Sequence, residues 1–283
     1  MAGMDGTQLK DRIALVSGAS RGLGRAVVFE LASAGAHVVA TGRSAPGAAT
    51  QTEVPDLTVA RTVELAEQAG GSAEAVICDH TDPEQVQRLV SDVLDRHGQI
   101  DVLVNNAWGG HDFHEQPDGD EVWDEPMEQF RAMLLAGAYS DFVTSMQVLR
   151  QDMGRREAGI IVTTTWHTPE PPAWVPYESS KAAKNRLVYA LGHHLREKGI
   201  PCIAVAPGWM RTELMESHHE PGELDGRTET PHYGARAVVA LAADPDAMRL
   251  TGRTMDVAVL AREYGITDLD GTQPDLNAGR FLP

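Results

Sequence analysis

Short apolar runs alternate with longer amphipathic stretches through most of the chain. Runs such as residues 13–17 are typical of buried strands, and stretches such as residues 83–96 carry apolar residues at the spacing of a helix that faces a core. The alternation predicts an α/β fold with parallel strands, right-handed crossovers and helices on both faces of one sheet. The predicted strands are 13–17, 37–40, 75–78, 102–104, 160–164, 202–206 and 254–257, and the predicted helices are 25–34, 59–68, 83–96, 127–153, 179–198 and 234–243.

The chain shows no internal repeat and no linker, so we expect one domain over residues 1–283. Two stretches depart from the alternation. Residues 44–57 form a long predicted loop, and residues 211–233 are rich in Glu, His, Gly and Pro. Long irregular segments often act as lids or binding loops, although a flexible surface excursion is the alternative.

Composition narrows the class of protein. The formal net charge is −17 with dispersed acids and no basic run, so nucleic acid and anionic membranes are not expected partners. No run approaches the ~20 apolar residues of a membrane span, and no apolar leader precedes Lys10. Cys78 and Cys202 fall in predicted strands and are expected as reduced core thiols, with one disulfide between them as the alternative. We therefore expect a cytoplasmic protein.

A glycine motif follows the first predicted strand and opens the first predicted helix. It reads Gly18-Ala-Ser-Arg-Gly22-Leu-Gly24. Glycines at such a junction permit a tight turn and let a diphosphate approach the backbone amides of the helix. From these residues alone, a glycine-rich turn that binds no ligand is the alternative interpretation.

Tyr177 and Lys181 stand four residues apart, so they share one face if the helix extends over both. An ammonium beside a phenol favours phenolate and is expected to lower the pKa of the tyrosine. Such a phenol could exchange a proton with a carbonyl or alcohol oxygen. Taken alone, such a pair more often marks a partly buried tyrosine beside a solvated lysine.

Together these motifs resemble the short-chain dehydrogenase/reductase family of the classical type. Asp79-His80-Thr-Asp82, Asn105-Asn106-Ala107 and Pro207-Gly208 with Thr212 match further family segments in order. The resemblance runs from about Leu9 to about Val257, and the tail (258–283) is similar to the branch typified by dehydrogenase/reductase member 1. The resemblance implies a Rossmann-like doubly wound domain with about seven parallel strands and a substrate lid at about 211–233. It also implies that the protein is an oxidoreductase.

The resemblance also implies a nicotinamide cofactor. The second predicted strand ends without the acidic residue that NAD-preferring relatives carry, and Arg43 follows it. Arg21 is a second cation expected near the same ribose, so NADP(H) is predicted, with two plain surface arginines as the alternative. The expected cofactor-binding residues are Gly18, Ser20, Arg21, Gly22, Leu23, Gly24, Arg43, Asp79, His80, Asn106, Ala107, Tyr177, Lys181, Pro207, Gly208 and Thr212.

The catalytic site departs from the family pattern at two positions. The usual serine falls on Trp166 when the strand is aligned and on Thr164 when residues are counted back from Tyr177, with Thr165 between them. The usual asparagine of the fourth helix is replaced by Gly137. Protons must then reach Lys181 by another route. Tyr139, Ser140 and Asp141 are nearby in sequence.

Four tryptophans and a histidine are expected on the substrate side, at the carboxyl edge of the sheet. They indicate a flat or apolar substrate, although tryptophans also serve in cores. They are Trp108, Trp166, His167, Trp174 and Trp209. No histidine has metal-ligand spacing, so no metal is expected; His111, His114, His167, His218 and His219 are candidate auxiliary acids or bases.

The predicted function is an NADPH-dependent reductase of a carbonyl compound, or the reverse alcohol dehydrogenase, with Tyr177 as general acid or base. The alternative is non-redox chemistry on the same scaffold, such as cyclisation, dehydration or isomerisation; a nucleotide-bound regulator is a third reading. A homodimer or homotetramer is expected from an apolar surface on helix 127–153. Its residues are Ala132, Met133, Ala136, Val143, Met146 and Val148.

Overall fold

The structure is a computed structural model, and it describes residues 7–48, 50, 54–110, 123, 126–167 and 174–276. Seven parallel strands form one sheet in the order β3-β2-β1-β4-β5-β6-β7. This arrangement confirms the predicted doubly wound α/β fold. The strands are β1 Ile13–Val16, β2 His37–Gly42, β3 Ser72–Ile77, β4 Val102–Asn105, β5 Ile160–Thr164, β6 Cys202–Ala206 and β7 Thr254–Asp256.

Helices cover both faces of the sheet. Successive strand residues point to opposite faces, so Val16 packs in one core and Leu15 in the other. The helices are α1 Gly22–Ser33, α2 Val59–Gln68, α3 Pro83–His97, α4 Met127–Leu134, α5 Ser140–Val148, α6 Gly154–Arg156, α7 Val175–Leu195, α8 Glu213–Ser217, α9 Pro231–Ala243 and α10 Val257–Tyr264. The core on one face uses α1, α2, α9 and α10, and the core on the other uses α3, α5 and α7.

Element boundaries differ from expectation where local chemistry overrides periodicity. The third strand begins at Ser72 instead of residue 75, because Ser72 pairs in register with His37. Helix α7 begins at Val175, with Pro176 in its first turn, where the missing N–H costs nothing. The last strand ends at Asp256, whose carboxylate accepts from Ala258 N at 2.7 Å and so caps α10.

The predicted helix 127–153 is a continuous helical segment with two π turns. The turns Leu135–Tyr139 and Leu149–Met153 follow α4 and α5. Such wide turns occur often at functional sites. The predicted lid, residues 211–233, is partly regular. It contains α8, and a hydrogen bond from Arg211 N to Glu229 O at 2.8 Å joins its first residue to its returning segment.

The proposed assembly surface was wrong in part. Met133, Val143 and Val148 are buried in the core of the protein itself, so they cannot form an outer face. The inward side of the segment is the apolar one because the sheet lies beneath it. The exposed apolar side chains on this segment and on α7 are instead Met127, Phe130, Leu135, Tyr139, Phe142, Val175 and Tyr189.

Both cysteines are buried free thiols, as expected, and burial raises the pKa of each to about 12. Among the described residues, no helix is both long and apolar enough to cross a membrane.

Candidate active site

A cavity of about 800 Å³ opens at the carboxyl ends of the strands. Every residue that the sequence placed in the catalytic and cofactor sets lines this cavity, and so do Trp108, Trp166, Trp174 and Trp209. His167 does not line it and is exposed, so the expectation that His167 meets substrate is not supported by its position. His111 and His114 lie outside the described residues.

The glycine loop at one end of the cavity has no room for side chains. A Cβ on Gly24 would lie 2.1 Å from Gly18 O and 2.4 Å from Asn106 Nδ2. Gly18 has φ +65°, and a Cβ there would meet Ala107 Cα at 2.9 Å. Only glycine allows β1, α1 and the end of β4 to approach so closely. The backbone amides at the start of α1 are left facing the cavity, as an anion site requires.

A carboxylate already occupies this helix terminus. Glu213 Oε2 accepts from Gly22 N at 2.8 Å, and Glu213 Oε1 is 3.2 Å from Arg25 Nη1. The sequence reasoning missed Glu213. Its position directly after Thr212, which caps α8 by accepting from Met215 N, was the available signal. An anion is therefore accommodated at the N-terminus of α1, where a diphosphate would bind.

The ends of β1 and β4 are joined by a polar network. Ser17 Oγ accepts from Asn106 N at 2.9 Å and from Ala107 N at 3.1 Å. Asn106 Nδ2 donates to Gly18 O at 3.0 Å, and Asn106 Oδ1 accepts from Thr164 Oγ1 at 3.0 Å. Asn106 thus holds three segments of the cavity wall in place. Ser17 is a supporting residue that sequence reasoning missed.

Arg21 and Arg43, the two arginines that were predicted to lie near the cofactor ribose, both line the cavity. Arg21 is nearly buried, and its Nη1 donates to Thr50 Oγ1 at 3.4 Å, while Arg43 is exposed beyond β2. Thr50 Oγ1 is also 2.7 Å from Ser44 Oγ. This donor set of guanidiniums and hydroxyls suits a phosphate monoester.

His80 is a buried bridge behind Asp79, which lines the cavity. Its Nε2 is 2.7 Å from Thr41 Oγ1, and its Nδ1 is 2.9 Å from Thr144 Oγ1. Burial lowers the pKa of His80 to about 4. A neutral imidazole therefore links β2 to α5 and holds the loop that presents Asp79.

Three indole rings enclose Tyr177. Trp174 stacks on it with ring centroids 5.3 Å apart, while Trp108 and Trp166 meet it edge-on at 5.4 Å and 5.6 Å. Trp174 is fixed by its Nε1, which donates to Gln129 Oε1 at 2.9 Å. We call Trp108, Trp166 and Trp174 the indole enclosure.

Lys181 lies beside Tyr177 on α7, as the spacing predicts. Its Nζ is 4.2 Å from the ring centroid of Trp108 and 5.3 Å from that of Tyr177, so the ammonium faces the aromatic rings. Burial, with a smaller contribution from the Lys184 ammonium, lowers the pKa of Lys181 to about 7.

The expected lowering of the Tyr177 pKa was wrong. Burial raises the pKa of Tyr177, and the Glu178 carboxylate adds to the rise. A dry aromatic surrounding disfavours a phenolate more than a lysine facing the ring can stabilise it. The phenol is therefore protonated at neutral pH and can donate a proton.

Thr164, Thr165 and Trp166 are the three residues that could take the place of the family's usual serine, and the side chains of Thr164 and Trp166 are already engaged in contacts within the protein. Thr164 Oγ1 donates to Asn106 at 3.0 Å, and the Trp166 ring belongs to the indole enclosure. Among the described residues, the hydrogen bonds of Thr165 Oγ1 are long, 3.3 Å to Lys181 O and 3.4 Å to Trp166 O. Of the three, Thr165 has the hydroxyl that could most easily turn to another acceptor or donor.

Gly137, in the first π turn, lies against α7. A Cβ on Gly137 would be 2.9 Å from Ser180 Oγ and 4.0 Å from Lys184 Cδ. Beyond it, Lys184 Nζ is 3.0 Å from Asp141 Oδ2, with both side chains fully buried. Tyr139 is exposed, and Ser140 donates to backbone oxygens of its own helix. Asp141 is therefore the inward charged residue of the three neighbours.

The lid packs over the same cavity. Trp209 lies 5.7 Å from the His219 ring and 5.4 Å from the Arg227 guanidinium carbon. Glu229 Oε1 accepts from Gly208 N at 2.9 Å and anchors the returning segment of the lid. Burial raises the pKa of Glu229 to about 8. His218 is exposed, and His219 Nδ1 donates to Met215 O at 2.8 Å.

One histidine cluster lies at the opposite, amino-terminal edge of the sheet. His37, Glu74 and His97 bring their ligand atoms within 4.8 Å of one another. The sequence did not indicate it. Arg96 donates to the same Glu74 carboxylate, so a guanidinium already neutralises it. The cluster is thus adequately explained as an ion-pair network between β2, β3 and α3.

Comparisons with known proteins point to one family. The family model for short chain dehydrogenases matches residues 12–222. Dehydrogenase/reductase SDR family member 1 of Homo sapiens is 29% identical over 276 residues, covering 93% of this chain and 85% of that protein.

Two solved structures share the fold and contain different cofactors. A 7α-hydroxysteroid dehydrogenase complexed with NADH and 7-oxo glycochenodeoxycholic acid is 27% identical, covers 97% of this chain and 99% of that chain, and has a TM-score of 0.73. A single-residue variant of actinorhodin polyketide ketoreductase with NADPH is 26% identical, covers 89% of this chain and 97% of that chain, and has a TM-score of 0.72.

Proposed function

The chain belongs to the short-chain dehydrogenase/reductase family, whose members are oxidoreductases that use nicotinamide cofactors, and from that premise we propose that it is an NADPH-dependent carbonyl reductase. The reverse reaction would be an alcohol oxidation. The observation that carries the proposal is that Tyr177, enclosed by indoles and beside Lys181, lies in one cavity with a glycine cradle.

The residues of the cavity suit a nicotinamide dinucleotide. Gly18 and Gly24 leave the cradle open, and the Glu213 carboxylate marks the place of an anion at Gly22 N. Bound NADPH would supply the hydride that reduces a carbonyl carbon. Pro207, Gly208 and Thr212 would hold its nicotinamide end, and Lys181 its ribose.

The residues around the carbonyl would act as acid and as orienting groups. Tyr177 gives its proton to the carbonyl oxygen as negative charge develops there. The phenol is protonated at neutral pH and so has a proton to give. Thr165 would orient the same oxygen with its hydroxyl. The indole enclosure excludes water and favours a flat or apolar carbonyl compound.

A substrate screen tests the proposed activity. Flat aromatic and alicyclic ketones should oxidise NADPH, followed as the loss of its absorbance, whereas small aliphatic ketones should react more slowly. Absence of turnover with every ketone, and with every alcohol in the reverse assay, would contradict the proposal. Turnover of a substrate at full rate after NADP(H) is stripped would instead support non-redox chemistry.

The cofactor preference gives a prediction at Arg21 and Arg43. The double variant Arg21→Ala/Arg43→Ala should weaken NADPH binding by about 100-fold or more and change NADH binding little, because each charge-assisted bond is worth ~1.5–3 kcal/mol, two such partners are lost, and only NADPH carries the 2′-phosphate. Fluorescence titration with both cofactors measures it. Arg61→Ala, on exposed α2 surface, is the control. Tighter binding of NADH than NADPH by the wild type would overturn the preference.

Glu213 gives a second prediction about the cofactor. Gly22 N cannot bond the Glu213 carboxylate and a phosphate at once, so Glu213→Gln should tighten NADPH binding several-fold by removing a competing anion. The same titration measures the change. Glu216→Gln, exposed on the same helix, is the control. Weaker binding in Glu213→Gln would show that the carboxylate supports the bound state.

We also propose a homodimer or homotetramer. Phe130, Phe142 and Tyr189 are large, exposed and located on α4, α5 and α7. Exposed apolar side chains in such a group are typical of an interface. Light scattering should give a mass of at least twice 30.5 kDa, and Phe142→Glu should lower it. A monomer at micromolar concentration would contradict this.

A further inference from the structure

A second lysine, close to one helical turn after Lys181, is buried with its own counter-ion. Lys184 and Asp141 are 1% and 0% exposed, and their Nζ and Oδ2 atoms are 3.0 Å apart. Taking two charges out of water costs several kcal/mol, so such a pair is retained only with a close partner. Burial raises the pKa of Asp141, and the Lys184 ammonium opposes that rise. One carboxylate and a second ammonium are therefore buried close to one helical turn from Lys181.

Gly137 makes room for this pair. A Cβ at residue 137 would press on Ser180 Oγ at 2.9 Å, and that hydroxyl donates to Met133 O at 2.9 Å. The stem of Lys184 lies just beyond, with Cδ 4.0 Å from the same point. A side chain at residue 137 would therefore have to displace the Ser180 hydroxyl, and glycine leaves the Ser180 and Lys184 side chains in their present places.

Lys181 and Lys184 stand three residues apart on α7 and so share one face of the helix, and Asp141 Oδ2 lies 3.0 Å from Lys184 Nζ. Asp141 Oδ1 is buried and, within the described part of the chain, accepts no hydrogen bond. Because the pair is buried, water screens its charges only weakly, and both of them act on Lys181. Burial has the largest lowering effect on the pKa of Lys181; Lys184 lowers it too, and the Asp141 carboxylate raises it. Tyr177 on α7 and the Cys202 thiol on β6 are further titratable groups in this region; burial raises the pKa of that thiol, and the Asp141 carboxylate adds to the rise.

We propose that Asp141 and Lys184 are positioning residues that set the protonation of Lys181 with opposite signs, and thereby the pH above which the protein loses its hold on NADP(H). The inference rests on the proposed function only for cofactor binding, since Lys181 is taken to hold the nicotinamide ribose as an ammonium. Neither residue needs to touch the cofactor or the substrate.

The experiment is a pH series of the Kd for NADPH, followed by cofactor fluorescence. In the wild type the Kd should rise above a midpoint set by the loss of the Lys181 proton. Lys184→Met removes the neighbouring cation, so its midpoint should move up by roughly one pH unit. Asp141→Asn removes the carboxylate, so its midpoint should move down by a similar amount.

The double variant Asp141→Asn/Lys184→Met keeps the test decisive. It replaces a buried ion pair by neutral groups, which proteins tolerate better than a lone buried charge. Its midpoint should lie below that of Lys184→Met, even where Asp141→Asn alone does not fold. Glu157→Gln/Lys198→Met, at an exposed ion pair, should leave the midpoint unchanged.

The outcomes separate this inference from the proposed function. Equal midpoints in all folded variants, with only lower thermal stability, would mean that the pair is merely structural and would overturn the inference. Shifts of the same sign would overturn it as well. Absence of NADPH binding at every pH would overturn both the inference and the proposed function.

Discussion

Tyr177→Phe should lower kcat by about 10²–10⁴-fold, the usual contribution of a positioned proton donor. The change removes one oxygen and leaves the ring, so the contacts with Trp108, Trp166 and Trp174 persist. Thermal stability and the Kd for NADPH should therefore stay close to those of the wild type. Steady-state kinetics with the best ketone of the screen, together with cofactor titration, measures both effects.

Tyr189→Phe is a matched control for this variant. Tyr189 lies on the same helix and is 53% exposed, so its hydroxyl should be dispensable. If Tyr177→Phe keeps more than roughly a tenth of the activity, Tyr177 is not the acid. Sequence reasoning would then turn to His167, but His167 is outside the cavity lining. Thr165, which lines the cavity, would be the nearer candidate.

Lys181→Ala should impair two steps together. The Kd for NADPH should rise because an ammonium at the ribose is lost, and kcat should fall because Tyr177 loses the cation beside it. A loss of about 10-fold or more in each is expected from charge-assisted bonds of this kind. Titration and single-turnover kinetics at saturating NADPH separate the two effects.

Lys198→Ala is the control for Lys181→Ala. It removes a lysine just beyond the same helix, where the ammonium pairs with Glu157 at the surface. The control should change neither constant. A normal Kd in Lys181→Ala, with only kcat reduced, would place Lys181 at the proton-transfer step alone and remove it from the cofactor site.

The sequence was sufficient for the architecture because strands buried on both faces and amphipathic helices have distinct periods. The doubly wound arrangement followed from right-handed crossovers, and the structure confirms it. The glycine loop was also readable, since Gly18 and Gly24 stand where no Cβ fits. Likewise, Tyr177 and Lys181 share a face because four residues make about one helical turn.

Side chains that point inward could not be distinguished from those that point outward on the long helix 127–153. Met133 and Val148 looked like an assembly face, yet both are in the core, while Phe142 is exposed. A π turn between α4 and α5 shifts the phase of the helix. Since the shift depends on packing against the sheet and α7, periodicity could not reveal it.

By itself, the sequence determined the fold, the position of the cradle and the pairing of Tyr177 with Lys181, because each depends on local spacing along one or two elements. Only the tertiary structure decided what surrounds that pair. Trp108 and Trp166 come from other segments to enclose Tyr177 together with Trp174, and Asp141 from α5 pairs with Lys184 on the helix that carries Lys181. A pKa depends on what surrounds a group in space, and residues distant in sequence supply those surroundings.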